Sequence, residues 1–141
     1  MVLPDVNVLI YAFRSESPHY PICRAWLAQT IAAESPFGLS TLALSALVRI
    51  TTNTRTFPGA SSLEDAFGYC QDLMDQPNAQ LVEPGSRHWG IFQRLCTEAN
   101  ITGPDVTDAW FAALAIEHGC EWITFDRDFA RFNGLRWRAP A

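Results

Sequence analysis

Apolar positions recur along this chain in two rhythms, and the alternation between them outlines a fold. Val2 to Ala12 is apolar and β-branched apart from Pro4, Asp5 and Asn7. That pattern predicts a short buried strand ending at or near Asp5, then a turn toward a helix. A helix is expected from Pro21 to Ala33, with Ile22, Ala25, Trp26 and Gln29 marking one face and Ser35-Pro36 stopping it. Leu39 to Thr52 carries Leu42, Leu44, Leu47, Val48 and Ile50, the spacing of a helix buried along much of its length. Asn53 to Gly59 reads as a loop. Ser61-Ser62-Leu63-Glu64 is an N-cap signature for a helix running to Met74, ended by Pro77-Asn78. Gln80 to Val82 reads as a short strand closed by Pro84-Gly85, after which Ser86 is placed to cap a helix through about Ala99. Gly103 to Thr107 forms a turn into a helix from Asp108 to His118, which Gly119 closes at the C′ position. Glu121 to Phe125 follows as a strand, and Leu135 to Trp137 as a last edge strand.

Strands alternating with helices predict an α/β protein, a sandwich with a mainly parallel central sheet. With 141 residues, 48% of them hydrophobic, one domain over 1-141 is the expected organisation. No positive residue precedes the opening apolar run, which Asp5 and Asn7 interrupt, so a signal peptide is not expected. No apolar stretch reaches the roughly 18 to 20 residues that span a bilayer. The expectation is a soluble, cytoplasmic protein without a membrane partner. Cys23, Cys70, Cys96 and Cys120 form no CxxC pair, which argues for buried free thiols rather than a thiolate zinc site.

Charge changes this picture less by its sum than by its distribution. The net charge of -5 disfavours phosphate binding over the surface as a whole. All ten basic residues are arginine, however, and Arg127, Arg131, Arg136 and Arg138 fall within the last fifteen positions. Arginine's planar fork suits phosphate, so this segment is a candidate phosphate-facing patch, solvated surface charge being the plainer alternative. The absence of lysine removes Walker-type nucleotide binding. It also weakens a phosphohydrolase acting through an aspartyl-phosphate on Asp5.

Ligands of a parallel sheet bind at the carboxyl ends of its strands. Asp5 follows the first predicted strand, and Asp126 and Asp128 follow the one ending at Phe125. Asp108 sits in the first turn of the helix feeding that strand, and a crossover helix begins near the sheet's carboxyl edge. Singly, each aspartate has a structural explanation as a turn, cap or dipole residue. Together on one edge they repel and raise one another's pKa unless a cation neutralises them. Hard oxygen ligands select Mg2+ or Mn2+, and such ions lower the pKa of a water and stabilise charge in phosphodiester hydrolysis.

Other candidates carry less. Five tryptophans are expected mostly in the core, with Trp137, between Arg136 and Arg138, the most exposed. His19, His88 and His118 lack metal-ligand spacing, and Glu83, Glu98 and Glu117 read as solvated faces. Arg49 either contacts phosphate or anchors its helix through an ion pair.

The opening DVNVLIYA, the segment LSALVRITTN, the TDAWFAALAIEHG helix and the closing TFDRDFARFNGLRW resemble the PIN-domain toxins of the VapC family, from VapBC toxin–antitoxin pairs. The four blocks span nearly the whole chain in order. The resemblance implies a PIN-like three-layer α/β/α sandwich and Mg2+- or Mn2+-dependent endoribonuclease activity on structured RNA, tRNA or rRNA. It further implies a homodimer and inhibition by a cognate VapB-type antitoxin. Carried over by position, Asp5, Asp108 and Asp126 match the metal-holding acids and Asp128 a further catalytic acidic position. Thr124 matches a hydroxyl near the metal, and with Arg49 and Arg127 it completes the substrate-binding candidates. The chain departs from the pattern at Ala46, which aligns with a helix glutamate of many members. That departure motivates an alternative, a catalytically weakened PIN-fold module that binds RNA or protein.

Overall fold

Among the described residues, five strands of two or three residues organise the fold, and every pairing among them is parallel. The computed structural model describes residues 1–56 and 59–141. The elements run β1 (Val2–Pro4), α1 (Val6–Phe13), α2 (Tyr20–Ala32), β2 (Phe37–Leu39), α3 (Thr41–Thr51), α4 (Leu63–Met74) and β3 (Ala79–Leu81). They continue with α5 (His88–Ala99), α6 (Val106–Glu117), β4 (Glu121–Ile123) and β5 (Trp137–Arg138). Short 3₁₀ turns at Gly103–Asp105 and Arg127–Arg131 lead into α6 and out of β4. β1 pairs with β4 and β4 with β5, while β2 pairs with β3. The two ladders meet where β1 lies against β2.

Alternation along each strand divides the core into two layers. Leu3 and Trp122 point to one face, where they join Leu95 and the run Ala112 to Ala115 beneath α5 and α6. Ile123, with Val2 at the edge, points to the other and joins Leu9, Trp26, Leu47 and Leu73 beneath α1 to α4. Helices therefore cover both faces of a parallel sheet, as a three-layer α/β/α sandwich requires. Gly38 permits the closeness of the middle strands. A Cβ there would lie 2.7 Å from Val82 Cγ2 and 3.2 Å from Leu3 Cδ1, so two core side chains occupy the space it leaves. Alanine does the same for α6, whose Ala109, Ala112, Ala113 and Ala115 are fully buried.

Several expectations are corrected. β2 is a separate strand, too short and too close to α3 to show as its own apolar pattern. The buried face of α2 is Cys23, Trp26 and Leu27; Ile22, Ala25 and Gln29 are exposed. Ser86 does not cap α5, which has no side-chain cap of its own at Arg87. Glu117 is no solvated glutamate: its side chain is only 6% exposed, and it accepts from the Gly85 and Arg87 backbone N–H groups at 2.7 and 3.0 Å. Trp89, 69% exposed, is the open tryptophan, whereas Trp137 is partly buried. Of the expected Asn53 to Gly59 loop, positions 57 and 58 lie outside the described residues. Cys23, Cys70 and Cys120 are buried free thiols and Cys96 a partly buried one. Among the described residues no helix is long and apolar enough to cross a membrane.

Candidate active site

The carboxyl edge of the β1–β4 pair is locked by one hydroxyl. Asp5 leaves β1 by donating its N–H to Ile123 O at 2.8 Å, and its Oδ1 caps α1 by accepting from Val6 N at 2.7 Å. Thr124, fully buried one residue beyond β4, donates its Oγ1 to Asp5 Oδ2 at 2.7 Å and accepts from Asp126 N at 3.0 Å. A single side chain thus fixes the aspartate of one strand end to the loop of the other. Asp126 then caps its own turn, accepting from Asp128 N at 2.9 Å through Oδ1. These contacts follow from local sequence, because an Asp or Thr at a strand end engages the nearest free backbone donors.

Asp108 arrives from α6, and Arg131 holds it. The Arg131 guanidinium places Nη2 3.2 Å from Asp108 Oδ2 and Nη1 3.5 Å from Asp105 Oδ2, with its carbon 4.9 Å from the centre of the Phe132 ring. The 3₁₀ turn after β4 is thereby tied to the first turn of α6. Arg131 Nε is buried without a hydrogen-bond partner among the described residues, so the guanidinium's polar contacts are concentrated on the two acids.

The electrostatics join these groups into one site. Burial pushes the Asp5 carboxyl up to about 6, opposed by the Thr124 and Val6 hydrogen bonds and reinforced by the charges of Asp108 and Asp126. Asp108 is raised by burial and by Asp126, restrained by Arg131, and raised further by Asp105 and Asp128. Asp5, Asp108, Asp126 and Asp128 therefore feel one another across the strand ends, with Asp126 and Asp128 exposed toward solvent. Among the described residues, no three His, Cys, Asp or Glu side chains form a ready-made metal cage. The oxygens are engaged instead by Val6, Thr124, Asp128 and Arg131.

The substrate-facing candidates divide. Thr124 stands behind the carboxylates with its hydroxyl committed twice. Arg127 is exposed between Asp126 and Asp128. Arg49 is exposed on α3 and lines a groove against α4, together with Leu44, Val48 and Phe67. α3 brings no carboxylate, and Ala46 is partly buried there. The sequence reading missed Asp105 as a site residue and placed Arg131 only in a basic patch. Its contact with Asp108 spans 23 residues, and no local pattern announces it.

The PIN domain model matches residues 2–135. Ribonuclease VapC25 of Mycobacterium tuberculosis strain H37Rv is 39% identical over 140 residues, covering 99% of this chain and 99% of its own. Ribonuclease VapC43 of the same strain is 38% identical, covering 99% and 95%. VapBC-1 from nontypeable Haemophilus influenzae, solved at 2.2 Å resolution, superposes with a TM-score of 0.71 at 16% identity, covering 99% of this chain and 98% of that one. Identity of 38% to 39% over nearly complete chains carries more than shared architecture: the chain belongs to the PIN-domain family, in its VapC ribonuclease branch.

Proposed function

We propose that this chain is the toxin of a type II toxin–antitoxin pair, an Mg2+-dependent endoribonuclease that cuts structured RNA such as tRNA or rRNA, with Asp5, Asp108 and Asp126 holding the ion. The observation that carries the reading is the meeting of Asp5, Asp108 and Asp126 at the strand ends, held there by Thr124 and Arg131, where burial and neighbouring aspartates push Asp5 and Asp108 up. Carboxylates in that state lack positive charge, and an all-oxygen donor set fits Mg2+ or Mn2+ rather than a soft ion. Such an ion, when bound, supplies charge stabilisation on phosphodiester oxygens and eases deprotonation of water.

The chain's own residues perform the rest. Thr124 fixes the direction of Asp5, and Arg131 fixes that of Asp108. Asp128 adds negative charge from the exposed side of the turn, assisting the three principal acids. Arg127, exposed in the same turn, takes a backbone phosphate and sets the RNA in register with the acids. Such pre-placement is what lets a few side chains act on a substrate without reorganising.

Purified tRNA and rRNA incubated with the protein and Mg2+ test the proposal, with Asp5→Ala and Asp108→Asn as controls. Cleavage that EDTA abolishes and neither variant retains is the expected result. Wild-type rates in either variant overturn the site. A second reading, an RNA- or protein-binding module with weakened catalysis, is favoured by the missing carboxylate at Ala46 on α3. It predicts a gel shift of RNA without cutting.

The partner follows from a second surface. Solved relatives of this fold are VapBC complexes, and we assign a VapB-type antitoxin to the groove of about 490 Å³ between α3 and α4. Its walls include Leu44, Val48, Leu63, Phe67 and Met74, with Arg49 the one charged side chain lining it among the described residues. An amphipathic segment carrying one acid fits that chemistry. A homodimer is part of the same proposal, and light scattering of the purified chain reads it directly.

A further inference from the structure

We infer that Tyr11, His19 and Phe125 form a stacking platform for one nucleobase of the RNA, immediately beside the carboxylate site. The inference rests on the ribonuclease reading for its ligand and on ring geometry for its location. The His19 ring centre lies 4.9 Å from that of Tyr11 and 4.8 Å from that of Phe125, and the latter two rings are 5.9 Å apart. Tyr11 and Phe125 are partly buried and His19 is exposed, so the histidine covers two half-sunk rings and presents its outer face to solvent.

Position joins this cluster to the chemistry. Phe125 stands between Thr124, which holds Asp5, and Asp126. Tyr11 belongs to α1, the helix that Asp5 caps. The third ring is anchored by its backbone: His19 N donates to Ser17 Oγ at 3.1 Å, and His19 O accepts from Cys23 N in the first turn of α2. Among the described residues neither ring nitrogen of His19 has a hydrogen-bond partner, which leaves its polar edge free toward a base.

Charge explains why such a platform is useful here. A protein of net charge -5 has little general attraction for RNA, and four aspartates at the cleavage site repel phosphate. A nucleobase is neutral, and stacking on an aromatic face is indifferent to that repulsion. Tilted rings, at 34° to 54° to one another, make a shallow cup that holds one splayed base rather than a flat duplex end. Sequence-specific RNA recognition commonly uses unpaired bases of this kind.

The test uses the full chain in Mg2+ with single-stranded RNA oligonucleotides carrying 2-aminopurine at successive positions. The Asp108→Asn background prevents cutting during the binding measurement. Quenching is expected at one position only, to be lost in His19→Ala and kept in His19→Phe, which preserves the ring face but carries no ionisable group. In the active chain, His19→Ala is expected to raise KM roughly 10-fold, as stacking lost from one base implies, with kcat within about 2-fold, unchanged by salt and restored by His19→Phe. Circular dichroism of each variant guards against misfolding. Equal quenching with and without the His19 ring overturns the platform. So does a fall in kcat at constant KM that His19→Phe fails to rescue, which points to proton transfer instead. If the wild type cuts no RNA, the ribonuclease reading falls, while the quenching series still decides the platform.

Discussion

Asp5 works against the fold that holds it. Its carboxyl is pushed up to about 6, chiefly by burial, from an ordinary value of 3.8. Between those two values the folded chain keeps a proton that the unfolded chain has lost, so stability falls as pH rises through this window and stays reduced above it. Replacing the acid by an amide of the same shape removes that penalty at the cost of one of the two hydrogen bonds the carboxylate accepts. Asp5→Asn is therefore expected to gain on the order of 2 kcal/mol at pH 7.5, read by urea unfolding, while RNA cleavage drops at least about 100-fold. Glu117 runs the other way. Burial alone would raise it, but two backbone N–H donors and the nearby histidines bring it below its ordinary value, so its contribution is present above about 4.5 and lost as pH falls. The melting temperature of the metal-free chain should accordingly fall as pH rises from about 4.5 to about 6. Added Mg2+ should raise the melting point at pH 7.5 and flatten the decline, because a cation bound to the folded state offsets the same repulsion. An unchanged melting point at saturating Mg2+ and Mn2+ would count against an ion at Asp5. The four aspartates were legible in the sequence because strand ends and first helical turns are local features. Arg131, Asp105 and the Tyr11–His19–Phe125 cluster were not, since each depends on how distant segments cross.

At the scale of elements, α5 borrows its beginning from α6. No side chain of its own caps its N-terminus, and the Glu117 carboxylate, at the far end of α6, reaches back to the Gly85 and Arg87 N–H groups. The Arg87 guanidinium and the His118 ring close the same junction, bonding Glu117 O at 2.6 Å and Glu83 O at 2.6 Å. Truncating Glu117 removes the acceptor of two backbone N–H groups at the start of α5, each hydrogen bond to a charged group being worth about 1 kcal/mol or more. Glu117→Ala should lose roughly 2 to 3 kcal/mol in urea, with cleavage per folded molecule unaltered. Gly38→Ala should also destabilise, by roughly 1 to 3 kcal/mol, because Val82 and Leu3 occupy the space its methyl needs. α4 was legible with its cap, since a dozen residues carry a clear period and Ser62 accepts from Asp65 N as its signature foretold; α6 was legible as a helix closed by Gly119, but it starts at Val106 rather than Asp108 and has no side-chain cap. The three-residue strands were harder. β2, with glycine at its centre, offers too few positions to show a period of two, and it vanished into the start of α3. The buried face of α2 was misread because Cys23 and Leu27, one turn apart, outrank the more apolar Ile22 once the helix is docked.

For the whole molecule, the proposed work divides between two surfaces. One is the carboxylate edge with its flanking rings; the other is the apolar groove between α3 and α4, where Leu63 and Phe67 are each more than half exposed. Contiguous apolar surface of this kind marks an interface, and the proposed antitoxin is the partner to test there. The two surfaces draw on different residues, so they should separate by mutation. Phe67→Asp puts a charge at the groove mouth, where 59% of the residue already meets solvent, and it leaves the aspartate site untouched. It should weaken antitoxin binding at least about 100-fold, as loss of an aromatic anchor at an interface does, while the purified variant cuts RNA at the wild-type rate. Calorimetry with the antitoxin and gel-based cleavage measure the two effects independently. In cells that express toxin and antitoxin together, the same variant should then arrest growth where the wild type does not. Retained antitoxin affinity in Phe67→Asp would move the interface off this groove.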